Sequence, residues 1–248
     1  MTVEIFAALH RASDPLILFN VWDAGSARAV ADAGAKAIAT GSLSLAGAQG
    51  YDDGERIPFA QLHQTARQIA ESVGLPITVD IEAGFASDCE TLGRNAAALR
   101  EIEVIGCNLE DRLIQTSFLR PAEEQAERIA AVAEAGLFVN ARTDLFLGPL
   151  MAGEDPNRAE LVEAAIERAA VYRSAGAGCF FIPGLSNPEM IAEICQAVDL
   201  SVNVMRLPGM VSNAELAQLG VARISYGPGP WREAMASVTE AAKAAFSP

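Results

Sequence analysis

The sequence predicts an α/β fold, a single (β/α)8 barrel spanning residues 1–248. Three observations carry this. Short apolar runs alternate with longer Ala-rich amphipathic stretches, eight pairs in all, as buried parallel strands alternate with helices. Several long stretches end in a glycine able to take the positive φ that closes a helix: Gly34, Gly74, Gly136, Gly176 and Gly220. The G-x-G-x-x-G turn of an open dinucleotide-binding sheet is missing after the first run, where N-V-W-D-A-G-S-A-R stands instead. With no long antiparallel insert, a closed barrel is favoured over an open doubly wound sheet.

The elements follow in order. Strand one is the apolar run Leu16 to Val21, and a helix from about Ser26 to Ala33 ends before Gly34. Strand two is Ala37 to Thr40; its helix, about Phe59 to Val73, comes after a long polar loop. Strand three is Ile77 to Val79, with a helix through Cys89 to Glu101. Strand four is Gly106 to Leu109, with a helix from Ala122 to Ala135. Strand five is Phe138 to Ala141, followed by a helix from Arg158 to Ser174. Strand six is Cys179 to Ile182, followed by Pro188 to Ala197, with proline at the helix start. Strand seven is Ser201 to Met205, with a short helix from Asn213 to Leu219. Strand eight is Arg223 to Ser225, and the last helix is Trp231 to Phe246.

Composition narrows the function. At 51% hydrophobic and 20% charged, 248 residues suffice for one large core. A net charge of -14 repels nucleic acid and anionic membranes, so neither is an expected partner. An anionic substrate would need a local arginine or a metal. Cys89, Cys107, Cys179 and Cys195 stand singly, which reads as reduced thiols in a cytoplasmic protein. With only His10 and His63 as imidazoles, zinc is disfavoured; His63 is expected to face solvent. The N-terminus lacks the pattern of a signal peptide, and no apolar stretch is long enough to span a membrane.

In a barrel the chemistry gathers at the C-terminal strand ends. Trp22 and Asp23 follow strand one; Gly41, Ser42, Leu43 and Ser44 follow strand two, before G-Y-D-D-G-E. Asp80 and Glu82 follow strand three, Glu110 and Asp111 strand four, and Arg142, Thr143 and Asp144 strand five. Several acids aimed at one axis would repel each other unless a cation neutralised them. Oxygen ligands without imidazole or thiol select a hard cation, Mg2+ or alternatively Mn2+. Bland readings compete. Asp23 and Asp88 can each be a helix cap, and Trp22 can be packing. Arg142 can bind an anion or bridge internally to Glu110.

At these residues the sequence resembles the phosphoenolpyruvate mutase/isocitrate lyase superfamily. The likeness runs from about Pro15 to Trp231, on N-V-W-D-A-G-S-A-R, T-G-S-L-S, G-Y-D-D-G-E, V-D-I-E-A-G-F, G-C-N-L-E-D and N-A-R-T-D. It implies a barrel that binds Mg2+ and a small 2-oxo-carboxylate, and cleaves a C–C or C–P bond through an enolate. Asp80 matches the direct metal ligand, and Asp53, Glu82 and Glu110 match acids that hold metal-bound waters. Asp52 falls where the family pattern G-Y-P-D-G-E has proline. Ser42, Leu43 and Ser44 match the turn that holds the substrate carboxylate, and Arg142 the arginine for its other anionic group. Trp22 and Asn203 complete the expected substrate contacts; Asp53, Glu110 and Arg142 form the expected catalytic set. A homo-oligomer, dimer or tetramer, is implied by the resemblance alone.

The sequence also departs from the pattern. The C–C lyases carry K-K-C-G-H after strand four, whereas E-D-R-L-I-Q-T-S-F-L-R-P stands here, and the mutase K-T-N-S loop is not recognisable. Isocitrate cleavage by that thiol route is disfavoured. A decarboxylase-like or phosphonopyruvate-cleaving activity remains, beside a non-catalytic descendant that binds an oxo-acid. A Schiff-base aldolase would need a lysine within a strand, and Lys36 and Lys243 are not so placed.

Overall fold

The computed structural model describes residues 2–247 apart from Gln115 and Ser117, which lie in the loop after strand four. The strands are β1 (Leu16–Leu18), β2 (Ile38–Ala39), β3 (Ile77–Asp80), β4 (Gly106–Glu110), β5 (Phe138–Arg142), β6 (Cys179–Phe181), β7 (Ser201–Met205) and β8 (Arg223–Ser225). They pair in parallel in the order β1-β8-β7-β6-β5-β4-β3-β2. One parallel bridge, Val21 with Thr40, spans the seam between β1 and β2. There the Val21 amide donates to Ala39 O at 2.8 Å. The expected barrel is therefore present. Strand one differs in detail: it leaves β8 after Leu18, and Val21 crosses to the opposite neighbour, because a closing ring must be shared between two partners.

The helices are α1 (Val3–Ala7), α2 (Ala24–Asp32), α3 (Ser42–Ala48), α4 (Phe59–Ser72), α5 (Cys89–Glu101), α6 (Ala122–Glu134), α7 (Leu147–Met151), α8 (Ala159–Ser174), α9 (Pro188–Ala197), α10 (Asn213–Gln218) and α11 (Gly229–Phe246). Short α1, α3 and α7 are additions to the sequence expectation; each is too brief to show an amphipathic period. Gly34, Gly136, Gly176 and Gly220 take positive φ, whereas Gly74 does not, because α4 ends at an extended Val73. Asp23 and Asp88 both cap helices, Asp23 within a reciprocal box with Ser26. His63 is half-buried rather than solvent-facing, with Nε2 3.1 Å from Ala98 O of α5.

The main core fills the space between strands and outer helices. A second cluster lies where α1 packs against the strands, with Phe6 among Leu16, Ala37, Ile105, Phe138 and Cys179. Cys107 and Cys179 are buried free thiols, as expected for core residues. Within the barrel Asn140 Nδ2 and Arg223 Nη2 both donate to Asn108 Oδ1, at 2.7 and 3.0 Å. Asn108 in turn favours the charged form of Asp80, a small effect beside the burial that opposes it. Among the described residues, no helix is long and apolar enough to cross a membrane.

His10 gives this end of the barrel a pH signature. Its ring stacks on Phe138 with centroids 4.7 Å apart and meets Phe6 edge-on at 5.0 Å. Nδ1 donates to Phe6 O at 3.1 Å, and Nε2 is buried with no partner among the described residues. Burial, reinforced by the nearby Arg223 charge, depresses its pKa from 6.5 to about 3. Below about 6.5 the unfolded chain takes up a proton that the folded chain refuses. Stability from this site is thus complete above that pH and is lost as pH falls toward 3. Wild type should lose about 2 kcal/mol more unfolding free energy between pH 6.5 and 5 than His10→Phe. Urea titrations at both pH values measure this; equal losses would show that His10 is not buried neutral.

Candidate active site

A cavity of about 490 Å3 opens at the C-terminal strand ends. Asp80, the last residue of β3, lines it and is 8% exposed. The Asp80 amide donates to Thr40 Oγ1 at 3.0 Å, and Asp80 Oδ1 accepts the Glu82 amide at 3.1 Å. Beyond Asp80 the chain is unusually bent: Glu82, Phe85 and, across the cavity loop, Glu55 hold φ of 50, 55 and 55°. Non-glycine residues adopt this region only when their surroundings enforce it. The enforcing contacts are reciprocal. The Glu55 amide donates to both Glu82 carboxylate oxygens at 3.0 and 2.9 Å, and Glu55 Oε1 accepts the Phe85 amide at 2.7 Å. Arg128 adds bonds to Ala83 O and Ala86 O at 2.6 and 2.9 Å. These clips fix the loop that brings Asp53 to the cavity.

Ser42, Leu43 and Ser44 form the first turn of α3 and line the same cavity. Ser44 Oγ donates to Gly41 O at 2.9 Å, tightening that turn. The first amides of a helix have no intrahelical acceptor, and no side chain caps those of α3. Arg142 also lines the cavity. Its Nε and Nη2 donate to the two oxygens of Asp144 at 2.6 and 3.0 Å, and Nη1 lies 2.8 Å from Glu110 Oε2. The internal bridge to Glu110 thus exists. Five donors serve three bonds, so two N–H groups have no partner among the described residues.

Asp53, Asp80, Ser42, Leu43, Ser44 and Arg142 therefore meet at one cavity. Glu82 and Glu110 stand behind it, one clamping Glu55 and the other holding Arg142. Trp22 and Asn203 do not line it. The Trp22 amide donates to Ser26 Oγ at the start of α2, and Asn203 is fully buried against Ser225. Asn20 went unforeseen. Its Oδ1 accepts the Tyr226 and Gly227 amides at 3.0 and 2.8 Å, and its Nδ2 donates to Thr40 O at 2.8 Å, joining the loops across the seam. A polar residue within the apolar run L-I-L-F-N-V was its signal. Arg206 and Arg232 also reach the cavity, and no motif announced them.

The acids carry an electrostatic strain. Burial raises the pKa of Asp80, with Asp53 adding to it against the pull of Arg142. Burial, then Asp53 and Asp80, push Glu82 up to about 8. Burial drives Glu110 well above the carboxylate range despite Arg142. Arg142 is also opposed by burial, but Asp144 and Glu110 hold it firmly charged. Acids that resist ionising until a cation arrives suit a metal site, because the ion reverses the local pKa logic. Among the described residues no three such side chains gather into a ready cage. The donors at hand are carboxylate oxygens, with no imidazole or thiol among the described residues that line the cavity, a set whose chemistry suits a hard cation such as Mg2+.

A family model described as phosphoenolpyruvate phosphomutase matches residues 6–246. A crystal structure from Burkholderia cenocepacia J2315, of a protein provisionally named a phosphonomutase, is 44% identical, covers 98% of each chain and superposes with a TM-score of 0.93. The uncharacterized protein Rv1998c of Mycobacterium tuberculosis (strain ATCC 25618 / H37Rv) is 31% identical over 241 residues, 96% of this chain and 88% of that one. An oxaloacetate decarboxylase of Pseudomonas savastanoi pv. phaseolicola is 25% identical over 227 residues, covering 90% and 77%.

Proposed function

This chain belongs to the phosphoenolpyruvate mutase/isocitrate lyase superfamily, and from that premise we propose that it is a Mg2+-dependent lyase, with Mn2+ as the alternative ion, that cleaves a C–C or C–P bond of a small 2-oxo-carboxylate such as oxaloacetate or phosphonopyruvate. The observation that supports it most is the convergence of Asp80, Asp53, the Ser42–Leu43–Ser44 turn and Arg142 on one cavity. Asp80 is the direct ligand in this reading, with Asp53, Glu82 and Glu110 reached through water. When bound, the cation supplies Lewis acidity toward the 2-oxo and carboxylate oxygens. The amides of Ser42, Leu43 and Ser44 hold the substrate carboxylate. Arg142, fixed between Asp144 and Glu110, turns its free N–H groups toward the anionic group on C3. As the bond to C3 breaks, its electron pair becomes the C2–C3 double bond and the carbonyl pair moves to the 2-oxo oxygen, leaving an enolate that takes up a proton to give pyruvate. The departing group is carbon dioxide from oxaloacetate, or a phosphoryl group passed to water from phosphonopyruvate. Preorganised donors lower that barrier because they need no reorientation.

A panel of oxaloacetate and phosphonopyruvate, with Mg2+ or with chelator, tests the reading through pyruvate release. Release above a protein-free Mg2+ blank is expected from either substrate, the blank being needed because Mg2+ alone decarboxylates oxaloacetate slowly. A second reading, an oxo-acid binder without turnover, is favoured by the loop after β4, which lacks the Cys, His and Lys of the lyase loop. Tight Mg2+-dependent oxalate binding with no pyruvate from either substrate would select it. We also propose a homo-oligomer. Pro230 is the buried residue of α11, while Met235, Val238 and Phe246 are 39%, 61% and 85% exposed, an apolar face for a second copy to cover.

A further inference from the structure

We infer that the preferred ligand reaches past oxaloacetate: besides its 2-oxo-carboxylate and the group on C3, it carries an apolar segment and a distal anionic group bound by Arg206. The inference rests on the reading of the cavity as a 2-oxo-acid site and names the substrate class within it. Arg142 lies among the cavity acids, and most of its fork is taken by Asp144 and Glu110. Arg206, on the loop after β7, lines the same cavity. Its guanidinium donates to Val211 O and Met210 O, and among the described residues it forms no ion pair. Glu215, the acid that feels its charge, is exposed and bonded to Ser212. Arg206 is thus a half-buried cation, held in place by backbone carbonyls, with no ion-pair partner among the described residues. In a chain of net charge -14, such a cation on a cavity wall attracts an incoming anion; Arg232 lines the cavity too, but it is exposed and neighbours Glu233, whereas Arg206 is half-buried and held in place.

The wall around it gives the second half of the argument. Leu147, Leu150 and Met151 of α7, with Phe181, Met205 and Leu207, make much of the cavity apolar. Leu150 and Met151 are 37% and 68% exposed at its edge. Oxaloacetate would engage the acids and Arg142 and leave this wall wet. A ligand with methylene groups between its 2-oxo-carboxylate and a terminal carboxylate would cover the wall and reach Arg206. Apolar lining with few placed polar groups is how small-molecule sites obtain both affinity and orientation.

The test uses the full chain with saturating Mg2+ and calorimetric titration of four probes: oxalate, oxaloacetate, 2-oxoadipate and 2-oxohexanoate. Wild type should bind 2-oxoadipate more tightly than 2-oxohexanoate, its monoanionic counterpart of equal length. Arg206→Gln should weaken 2-oxoadipate by about 10- to 100-fold while leaving 2-oxohexanoate and oxalate unchanged. Arg206→Lys should restore part of that loss. A merely structural arginine would weaken all four probes together, and that result, or equal binding of 2-oxoadipate and 2-oxohexanoate by wild type, overturns the inference. Failure of wild type to bind oxalate would instead overturn the underlying reading of the cavity.

Discussion

Asp80→Ala is expected to abolish Mg2+-dependent oxalate binding while the barrel still folds. The substitution removes the carboxylate proposed as the direct ligand, at the end of β3. Outer partners of metal ligands already contribute about 10- to 100-fold to affinity, so loss of a direct ligand should exceed about 100-fold. The apo protein should behave in the opposite sense. Burial disfavours the Asp80 charge, and Asp53 adds repulsion. A buried charge without full compensation destabilises a fold, so an alanine there costs little and can relieve repulsion. Glu82 shares the cause: its pKa is raised from 4.5 to about 8 by burial first, then by Asp53 and Asp80. Between those values the unfolded chain releases its proton before the folded chain does. The apo fold therefore loses stability as pH rises through that window, and less so once Asp80 is gone. Melting curves with and without Mg2+ read both effects. Mg2+ should raise the Tm of wild type and not that of Asp80→Ala, and the apo variant should melt no lower than apo wild type. Unchanged Mg2+ affinity in the variant would remove Asp80 from the metal site.

The barrel was legible because its signals are periodic and repeated. Gly106 to Leu109 and Phe138 to Ala141 are apolar or small apart from Asn108 and Asn140, and each lies within its observed strand. The rim was legible in part, through strand-end motifs: Asp80 and Arg142 close their strands, and both reach the cavity. What stayed hidden depends on direction rather than identity. Asn203 is an asparagine within β7, but the pleat turns it into the barrel toward Ser225. Trp22 follows β1, yet its backbone serves the start of α2. Glu55 sits in G-Y-D-D-G-E beside Asp53, and only the fold reveals that its amide and carboxylate clasp the loop after β3. Arg206 was hidden for another reason. Its place on the cavity wall follows from how the loop after β7 turns back on Met210 and Val211, which no pattern in R-L-P-G-M-V specifies.

Arg142→Lys should discriminate between two roles that the structure superimposes on one side chain. Nε and Nη2 grip Asp144, and Nη1 reaches Glu110, so the guanidinium is part of a buried ionic cluster. Lysine offers a point charge on a flexible stem and cannot hold both acids in that planar geometry. A fall in Tm is therefore expected whatever Arg142 does for a ligand, because one buried acid loses its donor. Stability alone cannot decide the matter; the ratio of two ligand affinities can. If the free N–H groups of Arg142 face the anionic group on C3, oxaloacetate should lose on the order of 2–5 kcal/mol of binding free energy, and pyruvate much less. If Arg142 only supports the rim, both ligands depend equally on the disturbed acids, and both should weaken by the same factor. Titrating each with saturating Mg2+, on a timescale short of turnover and below the melting range of the variant, gives that ratio. Arg206→Gln is the natural control: on the distal-anion inference it spares oxaloacetate, which is too short to reach Arg206. Equal losses for pyruvate and oxaloacetate in Arg142→Lys would assign Arg142 to the scaffold and leave Arg206 and the cation as the readers of substrate charge.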